Sequence, residues 1–254
     1  MSETVSLAVD ASGAAHIVID RPERHNAMTI EMYGTLLELI GQCERDAAVR
    51  CILLRGAGGK SFVSGTDIGY FTGFRDGRDG VAYEALVESV IDRVERIALP
   101  TIAVIDGWAV GGGLALATAC DFRVCTDGSR FGAPIAKTLS NTLSSRNLAR
   151  LAAAFGVPRV KKMLMLADTL SAQDALQCGY VYEVCGRDAL EPTAAALAQR
   201  LIALSPVTQR AVKESLRRIV VEQRLDDEDL IEQVYGSAAF RDAVAAFVAG
   251  SSKR

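Results

Sequence analysis

The stretch Asp106-Gly107-Trp108-Ala109-Val110-Gly111-Gly112-Gly113-Leu114-Ala115 constrains this chain more than any other. An apolar run, Thr101-Ile102-Ala103-Val104-Ile105, leads into it and predicts a buried strand. Residues 114–121 follow and predict a buried helix. Strand, glycine turn and helix together aim backbone N–H groups at an anion. Three consecutive glycines remove every Cβ at the turn, so a ligand can approach the main chain closely. Tight helix–sheet packing would select the same residues, and Gly-Gly-Gly alone leaves both readings open.

A second stretch shifts the balance. Residues 50–56 predict another buried strand, which runs into Ala57-Gly58-Gly59-Lys60-Ser61-Phe62-Val63-Ser64-Gly65-Thr66-Asp67-Ile68. Three further segments complete a pattern. They are Arg21-Pro22-Glu23-Arg24-His25-Asn26-Ala27-Met28, then Cys120-Asp121-Phe122-Arg123, then Ser171-Ala172-Gln173-Asp174-Ala175-Leu176-Gln177-Cys178-Gly179-Tyr180-Val181. In this order, over about residues 15–215, the five segments resemble the enoyl-CoA hydratase/isomerase, or crotonase, superfamily.

The periodicity of the chain predicts alternating strands and helices followed by a helical tail. Val5–Asp10 and Ala14–Asp20 read as a hairpin across Ser12-Gly13. Thr29 caps a helix carrying Met32, Leu36, Leu39 and Ile40. Residues 73–80 read as a mobile glycine- and charge-rich loop. A helix over about 81–97 comes next, then a strand at Phe122–Thr126. The chain from about 146 onward reads as helices at 146–155, 158–167, 171–178, 189–203, 206–221, 226–238 and 240–249. This order argues for an α/β core with a helical lobe. The resemblance implies more: a crotonase-like spiral of ββα units over 1–188 and a C-terminal α-helical trimerisation region over 189–254. It therefore implies a homotrimer or a dimer of trimers. Apolar faces at Leu197, Leu201, Leu204, Ile219 and Val220 are the expected contacts. The final segment, Phe247–Arg254, is shorter than in many relatives.

Composition excludes several classes. Half the residues are hydrophobic, 23% are charged, and 28 basic against 31 acidic residues give a net charge of −3. No basic block marks a nucleic-acid partner. Met1-Ser2-Glu3-Thr4 lacks the features of a signal peptide. The longest apolar stretch, 101–120, contains Asp106 and four glycines, so no membrane span is expected. The cysteines at 43, 51, 120, 125, 178 and 185 form no CxxC pair; reduced core thiols in a cytoplasmic protein are expected, without a metal site. Gly56-Ala57-Gly58-Gly59-Lys60-Ser61 misses the phosphate-loop spacing, because Leu54 stands where that loop needs glycine.

The resemblance places an oxyanion hole on the backbone N–H groups of Thr66 and Gly112. Such a hole stabilises an enolate or a tetrahedral intermediate, and losing one donor costs about 3–4 kcal/mol. It also implies an acyl-CoA thioester as partner, with coenzyme A as part of the substrate and no permanently bound cofactor. The implied contacts are Arg24, Ala27, Ser64, Gly65, Asp67, Ile68, Trp108, Gly111 and Pro134. Arg24 can meet a phosphate as a forked cation. Asp67 reads equally as a carboxylate tying loop N–H groups together.

The departure from the family is informative. Its hydratases carry two glutamates, at positions that here hold Ala115 and Ile135. No Asp, Glu or His occurs between Asp127 and Asp168, so no small shift restores either acid. Three readings remain. The chain is an acyl-CoA enzyme with other acid–base groups, drawn from Ser140, Asn141, Ser144, Arg146, Tyr70, Asp76, Asp79 or Glu84. Or it is a hydratase or isomerase in name only. Or it is a non-catalytic CoA-thioester binder or assembly subunit.

Overall fold

A computed structural model describes residues 4–251, with the side chains of 250 and 251 left aside. Residues 1–3, part of the segment weighed as a signal peptide, and 252–254, part of the C-terminal segment Phe247–Arg254, lie outside the described residues.

Four successive units repeat one plan. The first is β1 (Val5–Val9), β2 (Ala14–Ile19) and α1 (Ile30–Arg45); the second is β3 (Cys51–Gly56), β4 (Ser61–Val63) and α2 (Gly77–Glu95). The third is β5 (Thr101–Ile105), β6 (Trp108–Val110) and α3 (Gly112–Ala119); the fourth is β7 (Phe122–Thr126), β8 (Arg130–Gly132) and α4 (Ser145–Phe155). From the second unit on, the first strand joins one sheet and the second joins another. The larger sheet runs β1-β2-β3-β5-β7-β10, where β10 is Glu183–Cys185, and the smaller runs β4-β6-β8-β9, where β9 is Thr169–Ser171. Apart from the β1–β2 hairpin and the β8–β9 pair, neighbours are parallel. This is the spiral of ββα units, in an α/β fold, that the resemblance implies.

Parallel strands covered on both faces need apolar residues at consecutive positions. Accordingly, Thr101–Ile105 is buried throughout. Ile52, Leu54, Ala103 and Ile105 face the main core. Leu53, Ile102, Val104 and Val124 face the other way, onto Leu190, Ala194, Leu197 and Leu201 of α7 (Leu190–Ile202). Leu197 and Leu201, expected at a subunit contact, are therefore covered within the chain. Leu204 and Ile219 remain 54% and 47% exposed.

Between α4 and α7 lie α5 (Val157–Met165) and α6 (Ala172–Gln177); after α7 come α8 (Pro206–Arg217), α9 (Glu228–Tyr235) and α10 (Ala238–Ser251). Asp121 anchors α8: its Oδ2 accepts from Lys213 Nζ at 2.7 Å and from the Thr101 N–H at 2.7 Å. Arg123 donates to the Ala117, Cys120 and Asp121 carbonyls at the end of α3. The Cys120–Arg123 segment thus braces the fold.

Two further expectations change. The 73–80 segment is not all loop, because α2 begins at Gly77. Asp76 caps it by accepting from the Arg78 N–H at 2.7 Å, while the Asp79 carboxylate accepts from the Asp76 N–H at 3.2 Å. That reciprocal cap offsets the two glycines of the first turn. The glycine turn is also shorter than expected, since Trp108–Val110 forms β6 and α3 starts at Gly112. Strands of three residues are too short to show a period.

Candidate active site

The three parallel strands β4, β6 and β8 end side by side at Val63, Val110 and Gly132. The segments that follow, 64–68, 111–113 and 133–135, therefore gather at one edge. Carboxyl ends of parallel strands are where α/β sheets open to ligands.

Each glycine of 111–113 has a different reason. Gly111 lies at φ +55° and donates its N–H to the Gly132 carbonyl at 3.0 Å, joining β6 to β8. Gly113 packs so closely on β4 that a Cβ would lie 1.8 Å from the Val63 carbonyl oxygen. Gly112 opens α3 and faces Gly65, whose Cα would sit 3.4 Å from an added Cβ. The first N–H groups of a helix have no intrahelical acceptor. Among the described residues neither the Gly112 N–H nor the Thr66 N–H donates to a protein acceptor. Two such donors on touching loops suit an oxygen that gains negative charge.

The 21–28 segment is tied to this corner. The Met28 N–H donates to the Gly65 carbonyl at 2.8 Å and the Asp67 N–H to the Met28 carbonyl at 2.9 Å. Buried Asn26 accepts from the Arg21 N–H and donates to the Ala57 and Ser61 carbonyls at 2.9 and 2.7 Å. Arg21 Nη1 reaches the Ala27 carbonyl at 3.0 Å and Asp67 Oδ2 at 2.6 Å. Asp67 also accepts from the Gly69 N–H at 2.9 Å. The Arg21 guanidinium, then the loop N–H, hold the Asp67 carboxyl below the usual range. Arg24 is exposed on a single 3-10 turn beside this tie, with Ala27 half-buried after it. The Ser64 carbonyl lies beside Gly111, Ile68 is 61% exposed, and Pro134 is half-buried after β8. Trp108, 44% exposed, opens β6 and so sits at the far end of that strand from Gly111.

Two tyrosines join the site without a sequence signal. The Thr66 hydroxyl lies 3.0 Å from the Tyr33 hydroxyl and 2.8 Å from that of Tyr83. Burial pushes both phenols up, so both stay neutral. Tyr33 comes from α1 and Tyr83 from α2, fifty residues apart, and no local pattern links them. Ala115 is buried in the core, and Ile135 is half-buried after Pro134. The buried thiols of Cys51, Cys120 and Cys125 are pushed up to about 12, mainly by loss of solvent, which argues against a thiolate nucleophile.

The chain matches the family model described as "Enoyl-CoA hydratase/isomerase" over residues 10–249. It belongs to that family. A short-chain-enoyl-CoA hydratase of Clostridium acetobutylicum is 31% identical over 204 residues, 80% of this chain and 77% of the relative. An ethylmalonyl-CoA decarboxylase of Homo sapiens is 30% identical over 250 residues, 95% of this chain and 80% of the relative. The solved structure of an enoyl-CoA hydratase/carnithine racemase from Magnetospirillum magneticum aligns with a TM-score of 0.87 at 29% identity, covering 98% of this chain and 94% of that one.

The polar groups considered for acid–base chemistry in this family member divide sharply. Asp76 and Asp79 are occupied in capping α2. Ser140 and Arg146 are exposed. Tyr70 is 41% exposed and stacks edge-on against Phe71 and Phe74. Glu84, Asn141 and Ser144 line a cavity of about 650 Å³ between α2 and the 139–145 segment. Among the described residues no helix is long and apolar enough to cross a membrane.

Proposed function

We propose that this chain processes acyl-CoA thioesters by forming an enolate whose oxygen is held on the Thr66 and Gly112 N–H groups. The observation that carries the reading is the contact of Gly65 with Gly112, beside two backbone donors without protein acceptors. Fixed donors of this kind lower the barrier because they are oriented before charge develops. Coenzyme A arrives and leaves with the acyl group, with no resident cofactor. Its pantetheine runs past Ser64, Gly65, Asp67 and Ile68 towards Gly111 and Pro134, while Trp108, at the other end of β6, falls outside that path. Its adenosine end rests near Ala27, and Arg24 meets a phosphate.

The reaction is not efficient hydration. Adding water to an enoyl thioester requires one group to deprotonate water and one to protonate the α-carbon. Each positioned group contributes about 10²–10⁴-fold. With the apolar Ala115 and Ile135 at the family's acid positions, that contribution is absent there. Enolate formation by proton or CO₂ loss asks less of those positions, and the decarboxylase among the relatives supports this direction.

Exposed apolar side chains on the C-terminal helices, among them Leu216, Ile219 and Ile231, support a homotrimer or a dimer of trimers. Six free cysteines suit a reducing compartment, the cytoplasm.

Calorimetry with a panel of acyl-CoAs should give micromolar binding or tighter, about −8 kcal/mol. Crotonyl-CoA hydration should run several orders of magnitude below a short-chain enoyl-CoA hydratase assayed alongside. Ala115→Glu combined with Ile135→Glu should raise it. Absence of binding to every thioester defeats the reading, and ordinary hydratase turnover defeats its mechanistic part.

A further inference from the structure

Resting on that reading, we propose that Glu84 is the group that moves the proton at the substrate α-carbon, and that the acyl group it serves is aromatic or bulky and apolar. The cavity shares Tyr83 with the oxyanion corner and is walled by Phe71, Phe74, Val81, Tyr83, Leu139 and Leu143. Phe71 meets Tyr83 edge-to-face at 4.8 Å and Phe74 at 5.2 Å, which presents ring edges and faces to an occupant. Its volume, about 650 Å³, lies in the range of small-molecule sites. Tyr83 links the two places: its ring lines the cavity and its hydroxyl meets Thr66 at 2.8 Å.

Two carboxylates reach this wall. That of Asp76 is occupied by the cap of α2. Glu84 is half-buried; its Oε2 accepts from the Ser144 N–H at 2.7 Å, and its Oε1 takes no hydrogen bond among the described residues. The next acid along the helix, Glu88, is held by Arg150 Nη1 at 2.8 Å and the Ser144 hydroxyl at 2.9 Å, so it is a fixed neighbour rather than a competing base. Burial raises the Glu84 carboxyl above its ordinary range and the Glu88 charge adds to the rise, which suits a base that must give its proton back.

The step balances within the site. The Glu84 carboxylate takes an α-proton, and the C–H pair forms the enolate double bond. The thioester carbonyl pair moves onto oxygen, where the two N–H groups receive it. The carboxylic acid then returns a proton to carbon, after exchange with solvent where water reaches it.

The test uses phenylacetyl-CoA, whose α-protons are acidified by both ring and thioester. The wild-type protein in D₂O should replace the α-protons with deuterium, followed by mass spectrometry. Glu84→Gln retains an oxygen for the Ser144 N–H but cannot take a proton. It should slow exchange by about 10²-fold or more, with the dissociation constant for phenylacetyl-CoA within threefold and an unchanged thermal melt. Glu84→Asp should recover part of the rate. Exchange by Glu84→Gln at the wild-type rate overturns the assignment, as does wild-type binding without exchange. Failure of the wild type to bind any acyl-CoA overturns the acyl-CoA reading itself.

Discussion

Two polar regions of this protein, each partly buried, follow opposite rules. At the Gly65–Gly112 corner two backbone N–H groups, beside the neutral hydroxyls of Thr66, Tyr33 and Tyr83, lack a protein acceptor. At the seam between α2, α4 and α8 the polar groups are charged side chains paired with one another, and the two buried atoms without a hydrogen bond, Arg150 Nη2 and Asp92 Oδ1, still face each other at 3.6 Å. Arg150, whose side chain is 3% exposed, pairs with Glu88 and Glu95 at 2.8 Å each. Arg217, 2% exposed, pairs with Glu214 at 2.7 Å and Glu222 at 2.8 Å. Arg218 carries the chain of pairs on to Asp229 at 2.7 Å. Buried charges must be paired, because an isolated one is too costly. Polar groups left without a partner are exceptions that call for a ligand, a water or strain to explain them. The seam is therefore a brace, and the corner is the place for chemistry.

The sharpest break of this contrast is Gly113→Ala. A methyl group 1.8 Å from the Val63 carbonyl oxygen has no room between two backbones. A loss above about 4 kcal/mol is expected, read as failure to give a cooperative melt. A melt within a few degrees of wild type would mean that the helix–strand contact is looser than described.

At the seam, Arg150→Met should cost about 3–5 kcal/mol in urea unfolding, because Glu88 and Glu95 lose their shared cation. Adding Glu88→Gln and Glu95→Gln should restore part of it. If the triple variant is no better than the single one, shape rather than charge sets the cost.

A smaller effect is expected at the corner from Thr66→Val. It retains the N–H but strands the Tyr33 and Tyr83 hydroxyls, at about 1–3 kcal/mol, while Thr66→Ser should stay near wild type. Equal stability of the two would detach the tyrosines from the site.

The mildest test is pH. The Arg217 hydrogen bond and then that of Arg218 hold the Glu214 carboxyl down to about 2, against an ordinary 4.5. A depressed carboxylate adds stability that is complete above the ordinary value and is lost as pH falls towards the folded one. Urea midpoints should therefore fall between pH 4.5 and 2, and Glu214→Gln should flatten that decline. An unchanged slope would exclude Glu214 as a source of acid sensitivity.

Much of the corner was legible in the chain because backbone chemistry demands particular residues. Only glycine serves at Gly111 with its positive φ, or at Gly113 against Val63, so three glycines after a strand were visible before any coordinates. The long strands were equally legible, since burial on both faces leaves unbroken apolar runs. The start of α2 was missed because its cap depends on two aspartates set among glycines. The short strands β4, β6, β9 and β10 were missed because three residues carry no period.

What the sequence determined by itself was the α/β order, the family and the loops that meet. Tertiary structure alone decided that Thr66 would stand between Tyr33 and Tyr83, that Leu197 and Leu201 would cover the sheet, and that Glu84 would line a cavity while Glu88, one turn on, pairs with Arg150. The reason is physical. Backbone geometry is written locally in residue type, whereas the partner of a side chain depends on which distant helix packs against it.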